Sequence, residues 1–385
     1  MMTTTLALVL LGAIWLAWSN GANDNFKGVA TLYGSGALSY RGALFLATFS
    51  TLAGGLLSVW LAQGLVQTFS GDGLISGGGM NDAAMNNIML AATGIGAGAT
   101  VLLATWLGMP TSTTHALTGA LLGAALSANS GGVNWAVLVD KFAQPLLLSP
   151  LLAIALTLLL YSALHRLRER LDIGATSCLC VGDKSASPLP AGATTATLRA
   201  QSPALEMALG NTRGCAARYG GRFVGVDVDS AVNALHVLSA GSVCFARAVN
   251  DTPKIAALLL AATALSGQAQ PAWVVVLVAM VMALGGLLQS RKVAETLSRG
   301  ITALNHGQGL TANLVTAGLV LGASHLGLPV STTHVSTGAI FGIGAVNGQR
   351  NWRTIARILL TWIVTLPLGL ALGAGVYGMF RALGA

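Results

Sequence analysis

This sequence predicts an all-α polytopic membrane protein, built as two inverted repeats with broken helices and re-entrant helical hairpins. Three observations predict it. Charged residues make up only 8% of the chain, where soluble domains have about a quarter. Several apolar stretches approach the roughly 20 residues that a bilayer-spanning helix needs. A thirteen-residue segment also occurs twice, once in each half of the chain.

The candidate spans are Leu6–Trp18, Leu44–Val66, Ile88–Leu107, Trp135–Leu164, Trp273–Leu288, Leu310–Leu326 and Ile355–Val376. The hydrophilic stretch 166–228 interrupts them and divides the chain into an N-terminal transmembrane repeat (1–165), a linker (166–228) and a C-terminal transmembrane repeat (229–385). Eight basic and four acidic residues lie between Arg166 and Arg222. Basic loops stay inside, so the linker is expected in the cytoplasm and the protein in the plasma membrane. The basic residues are scattered among Gly, Ala and Ser, which excludes a nucleic-acid surface. The four cysteines form no disulfide framework and read as reduced thiols, with metal binding by the Cys178-Leu179-Cys180 pair as the alternative. No cofactor or resident metal is expected.

The duplication carries the functional reading. Gly108-Met109-Pro110-Thr111-Ser112-Thr113-Thr114-His115 returns as Gly327-Leu328-Pro329-Val330-Ser331-Thr332-Thr333-His334, and nine of the thirteen positions in the full segment are identical. Asn23-Asp24-Asn25-Phe26-Lys27 matches Asn250-Asp251-Thr252-Pro253-Lys254, so both motifs recur in the same order. If each half crosses the bilayer an odd number of times, the halves are inverted, as in many secondary transporters whose site lies at the midplane.

An ionised Asp at membrane depth must pair or line a polar cavity. Each Asn-Asp-x-x-Lys element therefore reads as the join between two half-helices, with Asp251 as an N-cap and Pro253 in the first turn of a new helix. The segments Ser112–Leu126 and Ser331–Ile343 are too short to span comfortably and read as re-entrant helices beside a cavity. Their N-termini present free N–H groups and partial positive charge. With the hydroxyls of Ser112, Thr113, Thr114, Ser331, Thr332 and Thr333, two facing termini would clasp a tetrahedral oxyanion. Asn23, Asp24, Lys27, Asn250, Asp251 and Lys254 complete the candidate binding set. His115 and His334 either carry a proton or orient their hairpins by bonding a backbone carbonyl.

Gly21-Ala22-Asn23-Asp24 together with the two Pro-x-Ser-Thr-Thr-His segments resembles the inorganic phosphate transporter (PiT, or Pho-4) family, with Arg291–Gly344 the best match. The resemblance implies inverted repeats, a cytoplasmic central loop and symport of phosphate, or of sulfate in some relatives, with Na⁺ or H⁺. The family pattern has a neutral Asn three residues after the Asp, where this chain has Lys27 and Lys254. Ala248-Val249 also replaces the usual Gly-Ala. An ammonium at that spacing shares a helical face with its Asp and supplies the charge of a bound Na⁺. Two carboxylates and two ammoniums cancel without any ion, so Na⁺-independent, proton-coupled transport is the expectation. Phosphate leads sulfate because it can donate a hydrogen bond to a carboxylate, provided the carboxylates are not fully occupied by the lysines. Expected partners are the bilayer, the oxyanion, a proton and a second copy in a homodimer. An intramembrane hydrolase fits poorly, since nucleophile, base and oxyanion hole have different tasks and need no duplication; a receptor or a channel is a further alternative.

Overall fold

In hydrocarbon every backbone N–H and C=O must bond within its own segment, and the apolar stretches accordingly form helices. The computed structural model describes residues 2–69, 74, 83–128, 132–174, 176–183, 205–219, 223–265, 272–348 and 350–384. Before the linker lie α1 (Met2–Asp24), α2 (Ala30–Gly34), α3 (Tyr40–Leu61), α4 (Gln63–Phe69), α5 (Ala83–Trp106), α6 (Thr113–Ser127) and α7 (Trp135–Val137). The last runs through a π-helical stretch, Leu138–Ala143, into α8 (Gln144–Arg170). The linker contributes β1 (Ser177–Asp183), β2 (Leu205–Asn211), α9 (Thr212–Arg218) and β3 (Phe223–Asp227). Then follow α10 (Val228–Leu265), α11 (Trp273–Gln289), α12 (Arg291–Arg299), α13 (His306–His325), α14 (Thr332–Asn347) and α15 (Trp352–Ala382).

The chain forms two compact units, one of residues Met1–Leu160 with His236–Ala385 and one of residues Tyr161–Leu235. Among the described residues of the whole chain, six helices are long and apolar enough to cross a membrane. A seventh span is counted if α11 and α12, bent by 74° at Ser290, are taken together. The most hydrophobic part of α5 is 78% buried, against 22% for the Trp135–Arg170 and Trp352–Ala382 spans. Helix α5 is therefore central, and Leu147, Leu151 and Ile363 on the outer spans are exposed.

Sequences from opposite halves interlock in the first unit. A Cβ added at Gly285 on α11 would lie 2.3 Å from the Trp18 carbonyl oxygen on α1; at Gly54 on α3 it would lie 2.3 Å from the Phe245 oxygen on α10. Only glycine permits these two crossings. Trp18 and Phe245 are themselves equivalent positions, each six residues before the Asp of its own Asn-Asp element. The two re-entrant segments form alike. Gly108 and Gly327 adopt φ of +69° and +68°, turning the chain from α5 into α6 and from α13 into α14. Ser112 and Ser331 then cap α6 and α14, each hydroxyl accepting the N–H three residues on at 3.2 Å.

Three features depart from the sequence reading. Helix α1 stops at Asp24, but α10 continues unbroken through Asp251 and Pro253 to Leu265. The missing N–H of Pro253 costs the Val249 carbonyl its partner without ending the helix, because the residues around it are packed on all sides. A sharp break falls instead between α11 and α12, where no motif announces it. The linker holds a three-stranded antiparallel sheet in the order β2-β1-β3, whose strands of five to seven residues are too short to stand out from a polar, Gly-rich background. Within it Cys180 and Cys215, 35 residues apart, are joined in a disulfide, so the expectation of reduced thiols fails for this pair. At the end of β3 the Asp227 carboxylate accepts the Ser230 N–H at 2.8 Å, and that bond holds its carboxyl below the usual range.

Candidate functional site

The two hairpin turns and the two Asn-Asp-x-x-Lys elements meet in the interior of the first unit. Helical spacing brings Asp251 onto the face of Lys254, and the turn after α1 brings Lys27 back to Asp24. Lys27 pairs with Asp24, and Lys254 with Asp251 at 3.4 Å. All four are at most 3% exposed. Unpaired charges would be prohibitive at this depth, so the pairing is a condition of the fold as well as a property of the site.

Each ammonium bridges the halves. Lys27 Nζ donates to the Thr111 carbonyl at 2.8 Å and to the Thr333 hydroxyl. Lys254 Nζ donates to the Val330 carbonyl at 3.0 Å and to the Thr114 hydroxyl at 2.9 Å. Thr111 and Val330 are equivalent in the repeat, as are Thr114 and Thr333. Both lysines thus have a carboxylate, a carbonyl and a hydroxyl as hydrogen-bond partners, and Lys254 Nζ also lies 5.9 Å from the centre of the Phe69 ring.

Asn23 and Asn250 act on the turns. Asn23 donates to the Thr105 hydroxyl and the Met109 carbonyl, both at 3.0 Å, and accepts the Thr111 N–H at 3.0 Å. Asn250 donates to the Val330 carbonyl at 3.2 Å and accepts the Ser324 hydroxyl at 3.1 Å. Each side chain clamps one hairpin to the element beside it.

The two carboxylates come together through a residue the motifs did not include. Asn20 Nδ2 lies 3.2 Å from Oδ2 of both Asp24 and Asp251, and 2.9 Å from the Thr113 hydroxyl. The Asn20 side-chain oxygen, Oδ1, accepts from Arg247 Nη1 at 3.0 Å. Arg247 is 1% exposed; it also donates to the Thr51 hydroxyl at 2.7 Å and stands 4.0 Å from Asp251 Oδ2. Its Nε is buried without a partner. Asn20 and Arg247 are also equivalent in the repeat, each four residues before its Asp. Extending the repeat alignment by one helical turn would have found them. Arg247 also corrects the charge count: three cations face two carboxylates, leaving one positive charge where the motifs alone suggested none.

The hydroxyls divide in use. Ser112 and Ser331 are taken up by capping. Thr113, Thr114 and Thr333 bond to the charged cluster. The hydroxyl of buried Thr332, the counterpart of Thr113, has no hydrogen-bond partner among the described residues. His115 bonds the Ser112 hydroxyl at 2.9 Å rather than a backbone carbonyl. Its ring lies 4.6 Å from that of His334, which packs on Trp362 at 3.9 Å. Spacing within one motif could not reveal that the two histidines touch.

The sequence pattern of the phosphate transporter family matches residues 20–373. The chain is 28% identical to a probable low-affinity inorganic phosphate transporter of Mycobacterium bovis, over 98% of this chain and 78% of that one. It is 25% identical to a probable low-affinity inorganic phosphate transporter of Bacillus subtilis, covering 96% and 95%. A solved structure described as the sodium-dependent phosphate transporter has the same fold, with a TM-score of 0.76, 22% identity and coverage of 98% and 99%.

Proposed function

Because this chain belongs to the phosphate transporter family, we propose that it carries inorganic phosphate across the membrane by alternating access, with Lys27 and Lys254 standing where a Na⁺-coupled relative would hold cations. One observation supports the Na⁺-independent part above all others. Each Lys Nζ is met by carboxylate, carbonyl and hydroxyl oxygen, the hard donors that suit a metal cation of the Na⁺ or Ca²⁺ type. A tethered ammonium already fills each such position, so no ion gradient is needed to neutralise Asp24 and Asp251.

The phosphate site in this reading lies between the N-termini of α6 and α14. Thr113, Thr114, Thr332 and Thr333 offer hydroxyls there, and the first-turn N–H groups have no acceptor within their helices. The surplus charge of Arg247 favours an anion. Phosphate enters as the cluster opens, drawing an ammonium from its carboxylate, and closure restores the buried pairs. Coupling to a proton falls to His115 and His334, ring against ring, or to one of the carboxylates. The two halves, 1–165 and 229–385, work as inverted repeats joined by the cytoplasmic linker 166–228, in a plasma-membrane protein that forms a homodimer.

Sulfate transport is the second reading, and one feature favours it. All four oxygens of Asp24 and Asp251 accept hydrogen bonds or face a cation, which weakens the preference for an anion that brings its own proton. Uptake of labelled phosphate into proteoliposomes tests both readings. The expected result is uptake indifferent to a Na⁺ gradient and little inhibited by excess sulfate. Strong Na⁺ dependence of the unaltered protein would overturn the tethered-cation mechanism. The pair Lys27→Asn with Lys254→Asn is expected to make uptake Na⁺-stimulated.

A further inference from the structure

The linker unit has a core made of sulfur. Cys178 and Cys180 alternate with Leu179 along β1 and so point to one face of the sheet. Helix α9 lies over that face and inserts Cys215, and Tyr219 follows it, its ring against Gly182. These three cysteines and Tyr219 are the whole buried apolar cluster of the unit among its described residues, each at most 2% exposed. Small units with so little core need a cross-link to hold together. Cys180 and Cys215 supply one as a disulfide, with Cα atoms 6.1 Å apart. Cys178 is left as a buried third thiol beside them.

The three sulfur atoms all lie within 4.8 Å of one another. No His, Asp, Glu or fourth Cys joins them among the described residues. A structural zinc site wants four ligands in a tetrahedron. Three thiolates alone suit a softer ion, since thiolate ligands select copper(I). We propose that the reduced linker binds one soft d¹⁰ cation, of the copper(I) type, through Cys178, Cys180 and Cys215. Each ligating thiol releases its proton to solvent as the metal–sulfur bond forms. The ion performs the task of the disulfide, fastening α9 to β1, and is available in a reducing compartment where a disulfide does not persist.

The test uses the full-length protein in detergent, reduced with a phosphine, which takes up the oxidising equivalents of the Cys180–Cys215 bond as phosphine oxide. Copper(I) is titrated against a coloured copper(I) chelator, and X-ray absorption at the copper edge counts the ligands. The expected result is one copper per chain held by three sulfurs, with zinc unable to displace it. Cys178→Ser and Cys215→Ser should each weaken binding by more than about 100-fold, above the range for loss of an outer-shell partner. Cys244→Ser, which alters the thiol in α10, should leave the stoichiometry at one. Failure of the reduced chain to hold copper against the chelator would overturn the proposal. So would fewer than three sulfurs at the copper edge, a measurement that needs no variant to fold, or preferential retention of zinc.

Discussion

The two Asn-Asp-x-x-Lys elements carry the same side chains on different backbones. In the first half α1 ends at Asp24 and the chain turns before α2. In the second, α10 passes Asp251 and Pro253 and continues to Leu265. Even so, Asn23 and Asn250 clamp equivalent turns, and Lys27 and Lys254 reach equivalent carbonyls and hydroxyls across the seam. The difference teaches that contacts with the hairpins, rather than the ending of a helix, set the geometry of the site. One further asymmetry is chemical. The place of Asn20 in the first half is held by Arg247 in the second, so two cations lie within 4.0 Å of Asp251 and one within that distance of Asp24.

That imbalance can be measured. Removing one partner of a buried ion pair costs about 3–5 kcal/mol. Asp24→Asn strands one cation and should lower stability by about that amount, whereas Asp251→Asn strands two and should cost more. Thermal unfolding of the detergent-purified protein at neutral pH reads the order, and equal losses would remove the asymmetry. Adding Arg247→Asn to Asp251→Asn should recover part of the deficit, because it removes one stranded charge and recreates the arrangement of the first half; a double-mutant cycle isolates that coupling.

A smaller effect separates the backbones. Pro253→Ala restores an N–H to the middle of α10 and should raise stability by about 1 kcal/mol, the net worth of one hydrogen bond. If the missing Pro253 N–H or the local pliancy serves transport, phosphate uptake falls as stability rises. A simple gain in stability with unchanged uptake would make Pro253 incidental. The smallest effect lies in the two caps. Ser331→Ala removes an N-cap, at about 1 kcal/mol, and Ser112→Ala removes the same cap together with the bond to the His115 ring, so it should cost more; equal costs in thermal unfolding would mean that the His115 bond contributes nothing.

Much of the site was legible because duplication marks residues twice. The Ser-Thr-Thr-His runs, both Asn-Asp pairs and the lysines were all readable from their recurrence in the second half; helical spacing accounts for the Asp251–Lys254 pair, whereas Lys27 reaches Asp24 from the turn after α1. Arg247 escaped because its repeat partner is Asn20, so identity does not flag it. The continuity of α10 escaped because proline is a local signal, while the packing that overrides it comes from α3, α11 and the α13–α14 hairpin. The linker sheet escaped because its strands are only five to seven residues long and its core of three cysteines and Tyr219 is drawn from separate stretches of a polar, Gly-rich segment.

By itself, then, the sequence determined that the chain lives in a membrane, that it is doubled, and which charges must find partners there, since composition and spacing fix what hydrocarbon tolerates. Only the tertiary structure decided who those partners are. Lys27 with Thr333, Lys254 with Thr114, Asn20 with Asp251 and His115 against His334 each join a segment of the first half to one of the second. They arise from how the two halves pack, and no local pattern encodes that.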